Sequence, residues 1–210
     1  MKNLIILFIV LIGFETINAQ QIKDLKYYYS DKINYNPTEL SLTRKYYKDI
    51  NNFFTPFIGQ WKSIIGTQTL IITLWKKTKE PTFWGHLEPI FYCDEINGHY
   101  DIYADYGLPT ESLLFTSRIN IGNTNQVWET VILAKSTTSN ELSGMILDVN
   151  GTPLNPIKYP QGVTGFLSIT INNGTSPLSA QWKITKSRGF TRGVQPKNFI
   201  VPINTTLVKI

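Results

Sequence analysis

Residues 69–75 read Thr69-Leu70-Ile71-Ile72-Thr73-Leu74-Trp75. Leu70, Ile72 and Leu74 fall on one side of an extended chain, and Thr69, Ile71 and Thr73 on the other. A period of two belongs to a strand whose faces meet different surroundings, not to a helix. The same alternation recurs near the C-terminus. There Leu178, Ala180, Trp182 and Ile184 alternate with Ser179, Gln181, Lys183 and Thr185. Gly66 separates the first run from an apolar stretch over Phe57 to Ile65, which predicts a tight hairpin.

Working outward, further strands follow at short intervals. His86 to Cys93 and Tyr100 to Tyr106 flank Asp94-Glu95-Ile96-Asn97-Gly98, and Asn-Gly is a hairpin signal. Leu113, Phe115, Ile119 and Ile121 are expected to share one face. Gly122-Asn123-Thr124-Asn125 reads as a turn, Val127 to Ala134 as a strand and Ser136 to Asn140 as a loop. Leu142 to Val149 ends at Asn150-Gly151, and the face made by Leu167, Ile169 and Ile171 ends at Asn173-Gly174. Pro156 and Pro160 mark a longer loop over Asn155 to Gly162. Phe199 to Ile210 closes the chain, with Pro202 placing its start at an edge or bulge.

Short turns between strands mean antiparallel neighbours. The fold expected is therefore all-β: an antiparallel up-and-down β-barrel of about 8–10 strands, with a β-sandwich as the alternative.

The N-terminus is of another kind. Lys2 precedes an apolar run from Leu4 to Phe14, and Ala19 supplies a small residue before Gln20. This is the plan of a secretory signal peptide over 1–19, cleaved near Ala19. The run is shorter than the roughly 20 residues that span a bilayer. The expectation is an exported chain, periplasmic or extracellular, with no transmembrane anchor. Residues 20–52 read as an irregular leader rich in Tyr and Lys, with a short helix around Thr38 to Tyr47. The barrel domain is expected over 53–210.

About 190 of the 210 residues would remain after cleavage, enough to bury one core without disulfides. Cys93 is the one cysteine, set in the apolar run Ile90-Phe91-Tyr92-Cys93, where a thiol acts as a small hydrophobe. The net charge of +5 biases the surface toward anions but does not point to nucleic acid.

No catalytic motif emerges. His86 and His99 are the two histidines, and with Cys93, Asp94 or Asp101 they match no metal-ligand spacing. No metal site or cofactor is expected. Glu88, Asp94, Glu95, Asp101 and Asp105 form an acidic group that reads as a solvated hairpin tip around Asn97-Gly98. Lys183, Lys186, Arg188, Arg192 and Lys197 form a basic stretch suited to the rim of an anion site.

Gly59-Gln60-Trp61 at the start of the first barrel strand resembles the lipocalin signature. That resemblance implies a Trp packed across the closed end of the barrel, under an Arg from near the C-terminus. Arg188 and Arg192 are the candidates. A broader resemblance runs through Tyr47-Lys48-Asp49-Ile50-Asn51-Asn52, Pro56-Phe57-Ile58-Gly59-Gln60-Trp61-Lys62 and Leu70-Ile71-Ile72-Thr73-Leu74-Trp75-Lys76. It continues through Ser143-Gly144-Met145-Ile146-Leu147-Asp148, Thr175 to Lys183 and Phe199-Ile200-Val201-Pro202. These segments resemble an uncharacterised family of short exported bacterial proteins. The resemblance implies export and an outer-membrane-bearing source, and brings no activity with it.

Two functional expectations follow. One is non-enzymatic binding of a small apolar or amphipathic ligand inside the barrel, by Trp61, Leu70, Ile72, Phe115, Trp182, Arg188 and Arg192. It needs small or aliphatic inward positions. The other is a surface interaction protein with a filled core, binding protein or glycan, such as a cell-surface polymer, through loops and leader. The choice turns on whether Leu70, Ile72, Leu113, Phe115, Leu167, Ile169 and Trp182 meet in the middle.

Overall fold

The alternating segments form strands whose inward sides make one core. A computed structural model describes residues 20–33, 45–83, 89, 91–119, 130–151, 162–186 and 198–210. The signal peptide expected over 1–19 lies outside the described residues.

Two short elements come first: β1 (Gln21–Asp24) and, after a 3-10 turn at Leu25–Tyr27, helix α1 (Tyr28–Ile33). Then come β2 (Lys45–Lys48), β3 (Gly59–Ile65), β4 (Gln68–Thr82), β5 (Phe91–Ala104) and β6 (Ser112–Thr116). The chain ends with β7 (Ile132–Lys135), β8 (Glu141–Asp148), β9 (Val163–Asn172), β10 (Ser179–Lys186) and β11 (Asn204–Lys209).

Eight of these strands close on themselves. In chain order β3, β4, β5, β7, β8, β9, β10 and β11 each pair with the next, all antiparallel, and β11 returns to β3. The expected up-and-down barrel forms, and closure removes the sandwich alternative.

One edge of β5 carries three partners, while β4 runs along the other. Tyr92 and Cys93 pair with β2 in parallel, Ile96 to Gly98 with β7, and Asp101 to Ala104 with β6. β6 and β7 thus lie along one edge as two halves of an interrupted strand. β2 continues the sheet outward to β1, again in parallel. Among the described residues no helix is long and apolar enough to cross a membrane.

The sequence reading needs three corrections. Residues 45–48 are a strand, so no helix reaches Tyr47. Tyr46 and Tyr47 put their hydroxyls on different partners, Asp94 and Asp31, which suits an extended segment covered on both sides. Asn97-Gly98 is no turn, because β5 runs straight through it. Gly98 is there for close approach: a Cβ would sit 2.6 Å from Leu74 Cδ2 and 2.8 Å from the Thr73 carbonyl. Finally, Leu113 leaves the inward face. A register shift between Ile102 and Tyr103 sets Phe115 opposite Ile102 but Leu113 opposite Tyr103, and Leu113 is exposed.

Other turns fall where expected. Gly66 (φ +60°) carries the β3–β4 hairpin, and Gly174 (φ +84°) the β9–β10 hairpin. Beyond Leu74, no strand among the described residues pairs with the second side of β4. That edge bears Lys76, Lys77, Lys79 and Pro81 and is broken by a bulge between Lys77 and Glu80. Lysines, proline and bulges discourage another chain from pairing there.

Candidate functional site

The barrel interior was one expected binding place, and side chains occupy it. Trp61 lies across from Ile72, and Ile72 from Tyr100; Trp182 lies across from Ile169, and Ile169 from Leu142. Trp61, Ile72, Tyr100, Ile169, Leu142 and Trp182 are all 0% exposed, and Leu70 is buried with them. Phe115 is half-buried and packs against this core. Eight strands enclose a space about wide enough for side chains to fill.

Both buried indoles satisfy their N–H groups, as buried Trp generally must. Trp61 Nε1 donates to the Phe57 carbonyl at 2.7 Å, and Trp182 Nε1 to the Pro202 carbonyl at 2.8 Å. A cation does cover the Trp61 ring, from Lys209. Its Nζ stands 5.4 Å from the ring centroid and donates to the Pro56 carbonyl at 2.8 Å. Burial depresses the Lys209 pKa. Arg188 and Arg192, the expected cap, lie outside the described residues, as do His86 and Lys197.

Within the acidic group Asp94, Glu95 and Asp101 form no solvated tip, Asp105 is exposed and Glu88 lies outside the described residues. Asp94 and Asp101 are buried. Asp94 accepts from the Tyr46 hydroxyl at 2.5 Å, from the Lys79 amide at 3.1 Å and from the Asp49 amide at 3.0 Å. Lys76 Nζ lies 3.2 Å from both Asp94 and Asp49. Asp101 takes Thr116 at 2.6 Å and Arg118. Glu95 pairs with Lys135 at 3.0 Å. These carboxylates hold strands together: Asp94 and Asp49 fasten β2 to the β4–β5 hairpin, and Asp101 fastens β6 to β5.

Cys93 is fully buried, and burial pushes its thiol pKa up. Burial by itself would lower the pKa of Lys135, but nearby Cys93, Glu95 and Tyr28 outweigh it and raise it. This is the setting of an inert thiol beside a firmly protonated amine, not of a nucleophile and its base.

The outer wall differs. Strand register sets two outward rows side by side across β7, β8, β9 and β10. One is Lys135–Ser143–Ser168–Lys183, and the other is Leu133–Met145–Phe166–Thr185. Leu133, Met145 and Phe166 remain 47%, 43% and 49% exposed, in contact order across three strands. Contiguous exposed apolar rows are uncommon on a protein with nothing to bind.

Helix α1 lies against this wall. Tyr28 is buried, stacks edge-on with Tyr47 and Phe91, and carries Lys135 Nζ 5.2 Å from its ring centroid. Burial lifts the Tyr28 hydroxyl to a pKa of about 12. With Tyr28 anchored, Tyr29 and Lys32 overhang β8 to β10 and form one bank of a groove of about 580 Å³. Ser143, Met145, Phe166, Ser168, Lys183 and Thr185 line the rest. A second hollow of about 400 Å³ continues past Tyr29 and Ser143 toward Ser136 and Thr138.

Sequence reading placed Lys183 in a basic stretch but did not foresee this groove. The alternation of β8, β9 and β10 shows which side chains point outward. It does not show that α1 lies over them. No curated protein and no solved structure matches the chain. One family model does, over residues 1–210, and the chain belongs to that family, the Family of unknown function (DUF6705).

Proposed function

We propose that this chain is an exported, non-enzymatic binding protein that holds its partner on the outer wall of the barrel rather than in its lumen. The observation that carries this reading is the contrast between the two sides of the same strands. Inward positions hold Trp61, Tyr100 and Trp182 at full burial, whereas outward positions hold the exposed row Leu133, Met145 and Phe166. An apolar ligand among Trp61, Leu70, Ile72 and Trp182 would have to displace packed side chains, each costing several kcal/mol of lost contact, about 2–5 by the usual cost of core truncation.

Export is supported by the charged, apolar and small-residue plan of residues 1–19. Cleavage after Ala19 leaves β1, which begins at Gln21, intact. The non-enzymatic reading is supported by the work of the buried carboxylates, which are saturated by backbone amides, tyrosines and lysine.

The test is native mass spectrometry of the mature chain, purified from the periplasm of a heterologous host and offered long-chain fatty acids. The expected result is a clean protein mass with no adduct. A one-to-one fatty-acid adduct that persists in Phe166→Ser would return the binding site to the lumen and overturn the proposal.

A further inference from the structure

We infer that the groove between α1 and the outer wall of β8, β9 and β10 binds an acidic polysaccharide. The inference rests on the outer-wall reading above and gives its partner a chemical class.

Three features of the groove select the class. Its floor is polar at regular spacing: Ser143 and Ser168 are directly opposed across β8 and β9, and Lys183 continues the row on β10. Two strand spacings set Ser143 and Lys183 about 10 Å apart, so the row can contact successive units of an extended chain. Its sides carry aromatic faces, Tyr29 at 43% exposure and Phe166 beside it. The negative face of an aromatic ring attracts the slightly positive C–H hydrogens on one side of a sugar ring. Its charge is mainly positive: among the described residues Lys32 and Lys183 line it with no carboxylate, and Glu141 lines only the adjoining hollow.

The same features argue against other occupants. A peptide strand finds little to pair with here, because among the described residues β8, β9 and β10 each have a strand on both sides. A second copy docked by a two-fold axis would set the same patch against itself, bringing Lys183 and Lys32 toward their own counterparts. A purely apolar ligand would cover the Lys183 ammonium without offering it an acceptor.

Exposed ion pairs are individually weak and are screened within about 8–10 Å at physiological salt. Affinity would come from repeated contacts along the polymer, and it should fall as salt rises. Titration calorimetry of the mature chain with a galacturonic-acid hexamer and with a neutral galactose hexamer tests this. The acidic probe is expected to bind, and to weaken tenfold or more between about 0.02 M and about 0.3 M salt. Lys183→Glu should weaken it at least tenfold and Tyr29→Ala about fivefold, while Lys48→Glu, a charge change outside the groove, leaves it within twofold. All three positions lie outside the buried core, and circular dichroism checks that each variant folds. Equal binding of the neutral hexamer would overturn the acidic class and leave the outer-wall reading standing. Binding indifferent to Lys183→Glu and Tyr29→Ala, or no binding of either hexamer, would overturn the groove as a glycan site, and the fatty-acid experiment then decides the outer-wall reading separately.

Discussion

The Tyr100 hydroxyl donates to Asp148 at 2.5 Å, joining two residues 48 positions apart on β5 and β8, the strands that flank β7. The other Asp148 oxygen accepts the Ile200 and Val201 amides at 2.5 and 3.0 Å. This one buried carboxylate therefore fixes both the barrel and the segment leading into β11. Burial and the Asp148 carboxylate push the Tyr100 pKa far above its ordinary value. Tyr100→Phe should cost about 2 kcal/mol, the loss of one hydrogen bond to a charged acceptor. Asp148→Ala should cost more, about 3–5 kcal/mol, because several buried donors are orphaned together. Urea midpoints with unchanged slopes give both values. Equal costs would show that the amides of Ile200 and Val201 find another acceptor.

Lys76 answers two buried carboxylates, Asp49 and Asp94, each at 3.2 Å. Lys76→Met keeps the stem but leaves both acids without their cation. The expected destabilisation is about 3–5 kcal/mol, read from urea unfolding. A change under about 1 kcal/mol would mean that the amides of Asp49, Phe53, Phe54 and Lys79 suffice to hold the pair.

Asp31 reads out pH at the leader. Burial acts to raise its pKa, but hydrogen bonds from Lys23 and Tyr47 outweigh it and bring the value below the ordinary one. A depressed folded-state pKa contributes stability that is present above the unfolded value, about 3.9, and is lost as pH falls through the lower folded value. Protection of the Gln21 to Asp24 amides, measured relative to their intrinsic exchange rates, should therefore fall on acidification below about pH 4. Asp31→Asn should flatten that step. A step of the same size in the variant would assign it to other carboxylates.

Cys93 should react slowly with a water-soluble disulfide reagent in the native protein and fully in denaturant. It is buried, its pKa is raised by burial, and the thiolate is the reactive form. Native labelling as fast as that of a free thiol peptide would show that β2 opens readily from β5.

The period-two pattern made most of the barrel legible, because one face of β8, β9 and β10 is buried and the other largely is not. It failed on β5. There both faces are covered, by core on one side and by β2, α1 and Arg118 on the other, so Asp94 and Asp101 look like surface residues in sequence. Gly98 shows the same limit. Asn-Gly favours turns when positive φ is needed, yet here Gly98 is needed for its missing Cβ. Gly98→Ala should cost about 1–3 kcal/mol through contact with the Thr73 carbonyl. Trp61 and Trp182, expected among the ligand-binding residues, are large side chains fully buried in the barrel interior. The outer groove was illegible because its far bank is α1, whose position depends on Tyr28 reaching Tyr47 and Phe91, contacts that no local pattern encodes.

The ring is completed by β11, which pairs with both β10 and β3. Those six residues follow β3 by about 140 positions of chain. Until Asn204 to Lys209 arrive, β3 and β10 both present open edges. A chain that stops short of β11 is thus an open, curled sheet rather than a smaller barrel. Pairing the first barrel strand with the last also gives the protein a high proportion of distant contacts, which places its folding in the slower, millisecond-to-second range. A chain cut before Asn204 would carry a nearly complete wall with no seam, its two open edges ready to pair with a neighbouring chain.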